Sequence, residues 1–207
     1  MQSDPDSYHH GDLRRTLLDV LPELIAERGL ENLSLRELAR RAGVTHGAPA
    51  HHFGDRKGLL TAFANVGSQH LSALVLDALA AVPESRHAQR LQAVGLAYLE
   101  FALRYPAHFR VTFRPELLDM TDRALLAARA AAGSTLDLVL KAAVTDGALR
   151  ATDYAAVRMS SWSLAHGYAS LAVDVLSGDS ADALRRQAQR TFEHFCVRML
   201  DHPAQAD

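Results

Sequence analysis

The chain has 207 residues, of which 48% are hydrophobic and 22% charged, and its formal net charge is −2. This composition is typical of a globular protein with a buried core and excludes a disordered chain. A protein that binds nucleic acid along its whole length is normally basic, so any such contact here must come from a local patch. The single cysteine, Cys196, excludes an internal disulfide framework and a cysteine-based zinc site.

The beginning of the chain does not have the pattern of a secretory signal. Residues 1–10 lack a basic segment followed by an apolar run, so we expect a flexible tail there and a second short tail at 203–207. The longest uncharged stretches, such as residues 61–76, contain polar residues including Asn65 and Gln69 and fall short of the ~18 apolar residues that a membrane-spanning helix needs. We therefore expect a cytoplasmic protein with no membrane span.

Helical periodicity begins near residue 12. Apolar side chains recur at helical spacing over residues 12–28 and Gly29 ends the segment, which predicts the first helix. Pro22 lies inside this segment, where a proline removes one backbone donor. It either kinks the helix or marks the point at which the helix begins.

Two short helices are predicted next. Ser34 and Glu37 have the spacing of a capping box, which favours a second helix that ends before Gly43. Thr45 is expected to cap a third helix, which ends at Phe53. Two short helices joined by a glycine-containing turn form a helix-turn-helix.

The rest of the chain also shows helical signals and no strand pattern. Gly133 lies inside one predicted segment and leaves open whether that helix is interrupted. The predicted helices are a fourth at 55–81 capped by Asp55, a fifth at 87–104, a short sixth around Phe109 and Phe113, a seventh at about 121–145, and an eighth and a ninth capped by Asp153 and Ser180. The predicted fold is therefore all-α, with about nine helices.

The helix-turn-helix segment carries the local positive charge that the global balance requires. Residues 36–57 hold five basic side chains against two acidic ones, a surplus of three positive charges in a chain of net charge −2. Helix N-termini add oriented N–H groups that bind phosphate. This segment is the candidate nucleic-acid surface.

The same residues resemble a known family. The sequences LARRAGVTHG at 38–47 and HFGDRKGLL at 52–60 resemble the DNA-binding domain of TetR-family transcriptional regulators. YHHGDLR at 8–14 and WSLAHG at 162–167 resemble the branch whose C-terminal domain is named for its Trp, His and Gly.

The resemblance implies a homodimer that binds double-stranded DNA at a pseudo-palindromic operator. It implies a helix-turn-helix DNA-binding domain at 11–57 and a ligand-binding and dimerisation domain at 58–202. The implied function is that of a repressor which a small-molecule effector releases from DNA. No cofactor is expected.

By position, the resemblance places the start of the recognition helix at Thr45, His46 and Gly47, and a phosphate contact at Arg56. His46 and His51 are candidate base contacts, whereas His52, beside Phe53, is better explained by packing or by a contact with the DNA backbone. The expected DNA-binding residues are Ser34, Arg36, Thr45, His46, Gly47, His51, His52 and Arg56. Ala50 departs from the family, which commonly has an aromatic side chain at this position.

The aromatic residues of the middle region and of the eighth helix are the candidate effector site. Trp162 and His166 are four residues apart and share one helix face, and a ligand pocket and ordinary core packing explain them equally well. The expected ligand-binding residues are Tyr98, Phe101, Tyr105, Phe109, Phe113, Trp162 and His166.

The last two helices are apolar on more than one side, so one side must be buried outside the chain. Pairing with a second copy in a symmetric four-helix bundle achieves this. The expected interface residues are Val157, Leu164, Tyr168, Leu171, Leu184, Ala188, Phe192, Phe195 and Met199.

Other functions are less well supported by the residues. An enzyme using His166 would need a second positioned acid or base, and none is evident. A metal at His9-His10 or His51-His52 would need ligands that adjacent helical residues do not supply. A helical ligand carrier or interaction module with weakened DNA binding stays open, because Ala50 replaces the family's aromatic residue.

Overall fold

The computed structural model describes residues 5–176 and 178–200, with side chains described from residue 13 onward in these ranges. In this part of the chain there are nine α-helices and no strand, so the all-α prediction is confirmed. The helices are α1 (Pro5–Arg28), α2 (Leu35–Arg41), α3 (Ala48–Phe53), α4 (Arg56–Ala80), α5 (His87–Arg104), α6 (Pro106–Thr112), α7 (Arg123–Thr145), α8 (Tyr154–Asp174) and α9 (Ala181–Leu200). Single 3-10 turns occur at Pro115–Leu117 and Ala151–Asp153.

The first helix begins earlier than predicted. α1 begins at Pro5 rather than near residue 12, and it continues through Pro22. A proline in the first turn has a preset φ angle and lacks only a donor that would be unpaired there anyway, which explains the early start. The predicted tail residues 1–4 and 203–207 lie outside the described residues.

Three of the predicted caps are confirmed. The Ser34 hydroxyl accepts a hydrogen bond from the Glu37 N–H at 3.2 Å, and Asp55 Oδ1 accepts from the Gly58 N–H at 2.8 Å. The Ser180 hydroxyl accepts from the Ala183 N–H at 3.2 Å. Each cap satisfies a backbone donor that the helix itself leaves unpaired.

Two other predicted caps are wrong. α3 begins at Ala48 with Gly47 as its N-cap, because Pro49 is tolerated only in the first helical turn. Thr45 lies in the turn before it, where its carbonyl accepts from the Ala48 N–H at 3.0 Å. Asp153 makes no side-chain cap to α8. Its carboxylate instead accepts from Arg150 Nε at 2.8 Å.

The chain divides into two compact units. The first unit contains the residues up to Gly67 together with Tyr105–Leu126, and the second contains Ser68–Arg104 together with the residues from Ala127 onward. The expected domain boundary at residues 57/58 does not coincide with this division. The beginning of α4 belongs to the first unit because Leu59, Leu60 and Phe63 are fully buried in its core.

The first unit has one continuous apolar core. α1 packs against α2, α3 and α6, and α2 packs against α3. The core contains Leu17, Leu18, Leu21, Leu24, Ile25, Leu38, Phe53, Leu59, Leu60, Phe63, Val111, Leu118 and Leu125. This core sets the directions of the two short helices.

The second unit is organised around α5, which packs against both α8 and α9. Gly95 of α5 lies against the ring of Phe192 of α9, so close that a Cβ at Gly95 would be 2.8 Å from the ring. α7 is continuous through Gly133.

α4 is the one described helix that is long and apolar enough to cross a membrane by length and composition. However, 56% of its most apolar 18-residue segment is buried inside the fold, as in a core helix.

The first turn of α4 requires glycine at Gly58, where it lies against the end of α3. A Cβ there would lie 2.0 Å from the carbonyl oxygen of Phe53, which no backbone can tolerate without shifting. We expect Gly58→Ala to lower the free energy of unfolding by about 1–3 kcal/mol, in the range of overpacked sites. Thermal and denaturant unfolding measure the change.

Gly133→Ala is the matched control. Gly133 lies inside α7 with an ordinary helical φ, and a Cβ added there would meet no neighbouring group within 4 Å. Alanine should therefore raise stability by about 0.5–1 kcal/mol. Equal effects of the two substitutions would contradict the close contact at Gly58.

Candidate functional site

The polar surface of the helix-turn-helix lies at the beginning of α3. Thr45, His46 and Gly47 are exposed, and they lie in the turn that precedes α3 rather than in its first helical turn. Ala50 and His51 continue this exposed surface along α3. Pro49 and Phe53 face the core, so the helix presents one polar side to solvent.

His52 lies at the edge of this surface. It is half-buried between the rings of His51 and Phe53, at centroid distances of 5.6 Å and 6.3 Å. Arg14 of α1 places its guanidinium 5.3 Å from the centre of the Phe53 ring. The side chain of His52 is thus more enclosed than those of His46 and His51.

The N-terminus of α2 supplies the other expected residues. Arg36 is exposed in its first turn. The Ser34 hydroxyl is engaged in the cap, and Glu37 does not return a bond to the backbone of Ser34 as a full capping box would. Instead the Glu37 carboxylate accepts from Arg40 at 3.0 Å and 2.6 Å and lies 3.6 Å from Arg28.

Arg41 joins α2 to α1 through carboxylates. Its guanidinium donates to Glu27 Oε2 at 2.8 Å, also bonds Glu27 Oε1, and lies 3.4 Å from Glu23 Oε2. The hydrogen bond from Arg41 holds the pKa of Glu27 below its ordinary value, and the bonds to Glu27 and Glu23 raise the pKa of Arg41. Arg40 and Arg41 are therefore paired within the protein, and the pairs of Arg41 with Glu23 and Glu27, which lie outside residues 36–57, reduce the positive surplus of that segment.

Arg56 is directed into the protein. Its Nη2 donates to the carbonyl of Leu30 at 2.6 Å, and its Nε is buried without a hydrogen-bond partner. The adjacent Lys57, which was not among the expected contact residues, is exposed. The sequence signal that could have identified Lys57 is its position in the first turn of α4, directly after the Asp55 cap.

In the second unit, three of the expected effector residues come together. The Tyr98 hydroxyl lies 2.8 Å from His166 Nδ1, and the ring centroids of Trp162 and His166 are 6.0 Å apart. Burial raises the pKa of Tyr98 and lowers the pKa of His166, so burial favours the uncharged form of both side chains. Phe101 is fully buried on the same helix as Tyr98.

The other expected aromatic residues belong to the first unit. Phe109 and Phe113 have ring centroids 5.4 Å apart, and Tyr105 meets His108 edge-to-face at 5.9 Å. His108, which was not singled out from the sequence, is buried and stacks on Phe63 with 3.8 Å between centroids. A buried histidine on α6 carries no local sequence signal, because its burial depends on α4.

Two open grooves lie in the second unit. One of about 410 Å³ is formed by α4, α5 and α9, with the Glu100–Arg185 ion pair at its edge. Another of about 560 Å³ lies between the end of α4, the following loop and α7, and it contains Arg90. Neither groove is lined by Tyr98, Trp162 or His166.

The expected dimer residues fall into three groups. Val157, Leu184, Ala188 and Phe192 are buried within the chain itself, whereas Leu171 and Met199 are exposed. The remaining three residues, Leu164, Tyr168 and Phe195, are half-buried, and the Tyr168 hydroxyl donates to the Leu184 carbonyl at 3.1 Å. The buried side of α8 and α9 is thus covered by α5, and another side of each helix is left exposed.

Chemistry other than binding has little support in the described residues. Burial raises the pKa of the Cys196 thiol to about 12, so the thiol stays protonated and behaves as a small apolar side chain. Among the side chains that the structure describes, no three His, Cys, Asp or Glu residues come together as metal ligands.

A helix-turn-helix unit with an exposed polar α3, joined to a second helical unit, defines a class of DNA-binding proteins. Residues 17–63 match the family model of bacterial regulatory proteins, tetR family. Residues 91–199, more than half of the chain, match the tetracyclin repressor-like C-terminal domain. The chain belongs to the TetR family of transcriptional regulators.

Known proteins agree with this assignment. The HTH-type transcriptional regulator BetI of Escherichia coli is 41% identical over 81 residues, which span 39% of this chain and 42% of BetI. A protein of unknown function from Rhodococcus sp. RHA1 is 31% identical, with a TM-score of 0.73 over 93% of this chain and 98% of that one. AibR, solved with isovaleryl coenzyme A and operator DNA, shares the fold at 18% identity, with a TM-score of 0.67 over 91% of this chain and 98% of AibR.

Substitution of Arg41 tests the carboxylate pairing that joins α2 to α1. Because pairing lowers the pKa of Glu27 in the folded state, it stabilises the fold above the pKa of the unfolded carboxyl, and this stabilisation is lost as the pH falls through the folded value. Arg41→Met should therefore melt below the unsubstituted protein at neutral pH, and the difference should shrink on acidification. Melting curves across this pH range measure it.

Arg15→Met is the control for Arg41→Met. Arg15 lies 3.7 Å from Asp19, and both side chains are highly exposed, so the pair should contribute almost nothing. A difference between Arg41→Met and the unsubstituted protein that does not change with pH would contradict the role of the carboxylates.

Proposed function

We propose that the protein is a dimeric repressor that a small-molecule effector releases from a pseudo-palindromic operator. The observation that carries this proposal is the exposed polar surface formed by Thr45, His46 and His51. The opposite sides of α2 and α3 are buried in the core, which holds this surface in place. In a helix-turn-helix the residues at the beginning of the second helix contact bases, and the first helix crosses the backbone. Arg36 on α2 is placed to contact phosphate.

His46 and His51 are suited to base contacts because an imidazole both donates and accepts hydrogen bonds in its neutral form. Ala50, between them on the exposed side of α3, leaves room that an aromatic side chain would occupy. We propose that His51 supplies the contact that such a residue makes in other family members. Ser34, Gly47 and His52 are supporting residues in this proposal.

Dimerisation is proposed through the exposed sides of α8 and α9. Met159, Trp162 and Leu171 are exposed on α8, and Val197 and Met199 on α9. Large apolar side chains exposed on neighbouring helices mark a protein interface, and a two-fold pairing covers both copies at once. Leu164, Tyr168 and Phe195, which are half-buried, would border this interface, whereas Val157, Leu184, Ala188 and Phe192 support it from inside the chain.

The effector site is proposed at Tyr98, Trp162 and His166. The two uncharged polar groups of Tyr98 and His166 and the indole of Trp162 suit a partly apolar molecule that carries a hydrogen-bonding group. AibR, which has this fold, was solved in complex with isovaleryl coenzyme A and operator DNA. This supports the proposal that one chain of this fold binds both a small-molecule effector and DNA. Phe101 would back the site, and the roles of Tyr105, Phe109 and Phe113 stay predictions from the sequence.

The Trp162, His166 and Gly167 pattern also supports assignment of the second unit to the Trp-His-Gly branch of the family. We place the protein in the cytoplasm, with no membrane contact and no catalytic activity of its own.

The effector and DNA would compete through the arrangement of the dimer. An effector that binds another arrangement more tightly than it binds the DNA-bound arrangement lowers the affinity for DNA, and bound DNA lowers the affinity for the effector by the same factor. α4, which begins beside α3 and continues into the second unit, is the element that would transmit this change.

Footprinting on the DNA that flanks the gene of this protein tests the proposal. We expect a protected two-fold symmetric site whose half-sites lie ~34–36 Å apart, with protection that weakens steeply as salt rises. Among variants, His46→Ala should weaken binding about tenfold by removing a base contact. Arg36→Ala should weaken binding to all duplex sequences alike.

Arg86→Ala is the control, since Arg86 is exposed in the second unit and its substitution removes the same charge. Unchanged affinity in both His46→Ala and Arg36→Ala would refute the contact assignment. Absence of salt-sensitive binding to any duplex would instead favour the interaction module with weakened DNA binding.

Charged substitutions on the exposed sides of α8 and α9 test the dimer. Met159→Glu and Val197→Asp should each shift the protein from dimer to monomer in sedimentation velocity, because an unpaired charge in an apolar interface is strongly unfavourable. Leu138→Glu is the control, since Leu138 is 65% exposed on α7, outside the proposed interface. If Leu138→Glu alone gives monomers, the interface lies elsewhere.

A further inference from the structure

We infer that Arg56 positions the helix-turn-helix through the carbonyl of Leu30, and that Lys57, its exposed neighbour, is the side chain that binds a DNA phosphate. This inference rests on the proposed DNA binding. It reverses the expectation from the family resemblance, in which Arg56 itself takes the phosphate contact.

The guanidinium of Arg56 is already engaged inside the first unit. Its Nη2 donates to the Leu30 carbonyl at 2.6 Å, the side chain is half-buried, and its Nε is enclosed where no solvent reaches it. To bind a phosphate, Arg56 would have to abandon the charge-assisted bond to Leu30 and leave that carbonyl with less support.

The Leu30 carbonyl lies in the turn that sets the start of α2. Gly29 ends α1 with a left-handed φ of 73°, and the Leu33 N–H donates to the same Leu30 oxygen at 3.2 Å. Ser34, the next residue, caps α2. Arg56 therefore joins the beginning of α4 to the turn that directs α2, which in turn packs against α3.

Lys57 has the exposure that a phosphate ligand needs. It lies in the first turn of α4, and its side chain is exposed. The charge of Lys57 contributes to lowering the pKa of the Asp119 carboxylate. That carboxylate accepts hydrogen bonds at Oδ1 from the N–H and the hydroxyl of Thr121, at 2.9 Å and 2.6 Å. The Lys57 ammonium is therefore available at the surface of the same turn that carries the Asp55 cap.

Salt dependence separates the two roles. Each phosphate that a protein neutralises contributes about 0.9 to the slope of log affinity against log salt concentration, because one condensed counterion is released. Loss of a phosphate ligand lowers the slope by about this amount. Loss of a positioning residue weakens binding but leaves the number of neutralised phosphates, and hence the slope, unchanged.

The experiment uses the full-length protein and a duplex enriched by the unsubstituted protein from a random-sequence pool. Arg56→Met, Arg56→Lys, Lys57→Met and Lys57→Arg are compared by affinity over a series of salt concentrations. Stoichiometric titration measures the active fraction of each variant, so that partial unfolding is not mistaken for weak binding. Hydrogen exchange at the Leu33 amide reports on the turn without DNA.

We expect Arg56→Met to weaken binding by roughly tenfold or more, as for loss of a hydrogen bond to a charged group, with an unchanged salt slope and faster exchange at Leu33. Arg56→Lys, which keeps a donor on a long side chain, should recover part of the affinity. Lys57→Met should lower the salt slope by about 0.9 with no change in exchange at Leu33, and Lys57→Arg should restore the slope.

A fall in slope for Arg56→Met together with an unchanged slope for Lys57→Met would overturn the inference and return the phosphate contact to Arg56. An unchanged affinity for Arg56→Met would also overturn it. Failure of the unsubstituted protein to enrich any duplex would overturn the proposed DNA binding itself, so the two failures are distinguishable.

Discussion

The helix-turn-helix depends on the burial of Leu59, Leu60 and Phe63 at the beginning of α4. These side chains lie in the same core as the leucines of α1 and α2, and full burial of each contributes about 1.5–3 kcal/mol. α2 and α3 have seven and six residues, whereas isolated helices shorter than ~12–15 residues are marginal in water. The two short helices therefore exist because α1 and α4 provide an apolar surface on which they fold.

Charge pairing then distinguishes the basic side chains of the helix-turn-helix from one another. The five basic side chains of residues 36–57 look equivalent in the sequence, but Arg40 and Arg41 are paired with carboxylates and Arg56 is bonded to a backbone carbonyl. The pairs of Arg41 are formed with Glu23 and Glu27, one turn apart on α1, so they hold the two helices in a defined relation. Arg36 on α2 and Lys57 on α4 are exposed beside these paired side chains.

Local signals in the sequence predicted local structure well. Caps at Ser34, Asp55 and Ser180 depend on a side chain and a backbone within three residues, and all three form. The predicted cap at Thr45 does not form because Pro49 fixes a later start for α3. The predicted cap at Asp153 does not form because its carboxylate accepts a hydrogen bond from Arg150 instead. Non-local facts, such as the inward direction of Arg56, depend on residues 26 positions away and leave no mark in the local pattern.

α8 and α9 also show that a local sequence pattern does not reveal which side of a helix is packed. They carry residues of both the proposed effector site and the proposed subunit interface. Periodicity indicates that each helix is apolar on more than one side, but only the packing of α5 against them shows which side is covered within the chain. Trp162 is 43% exposed on α8 and also lies against His166, whose ring bonds the buried Tyr98. Trp162 therefore belongs both to the proposed effector site, through its contact with His166, and to the exposed surface of the proposed subunit interface.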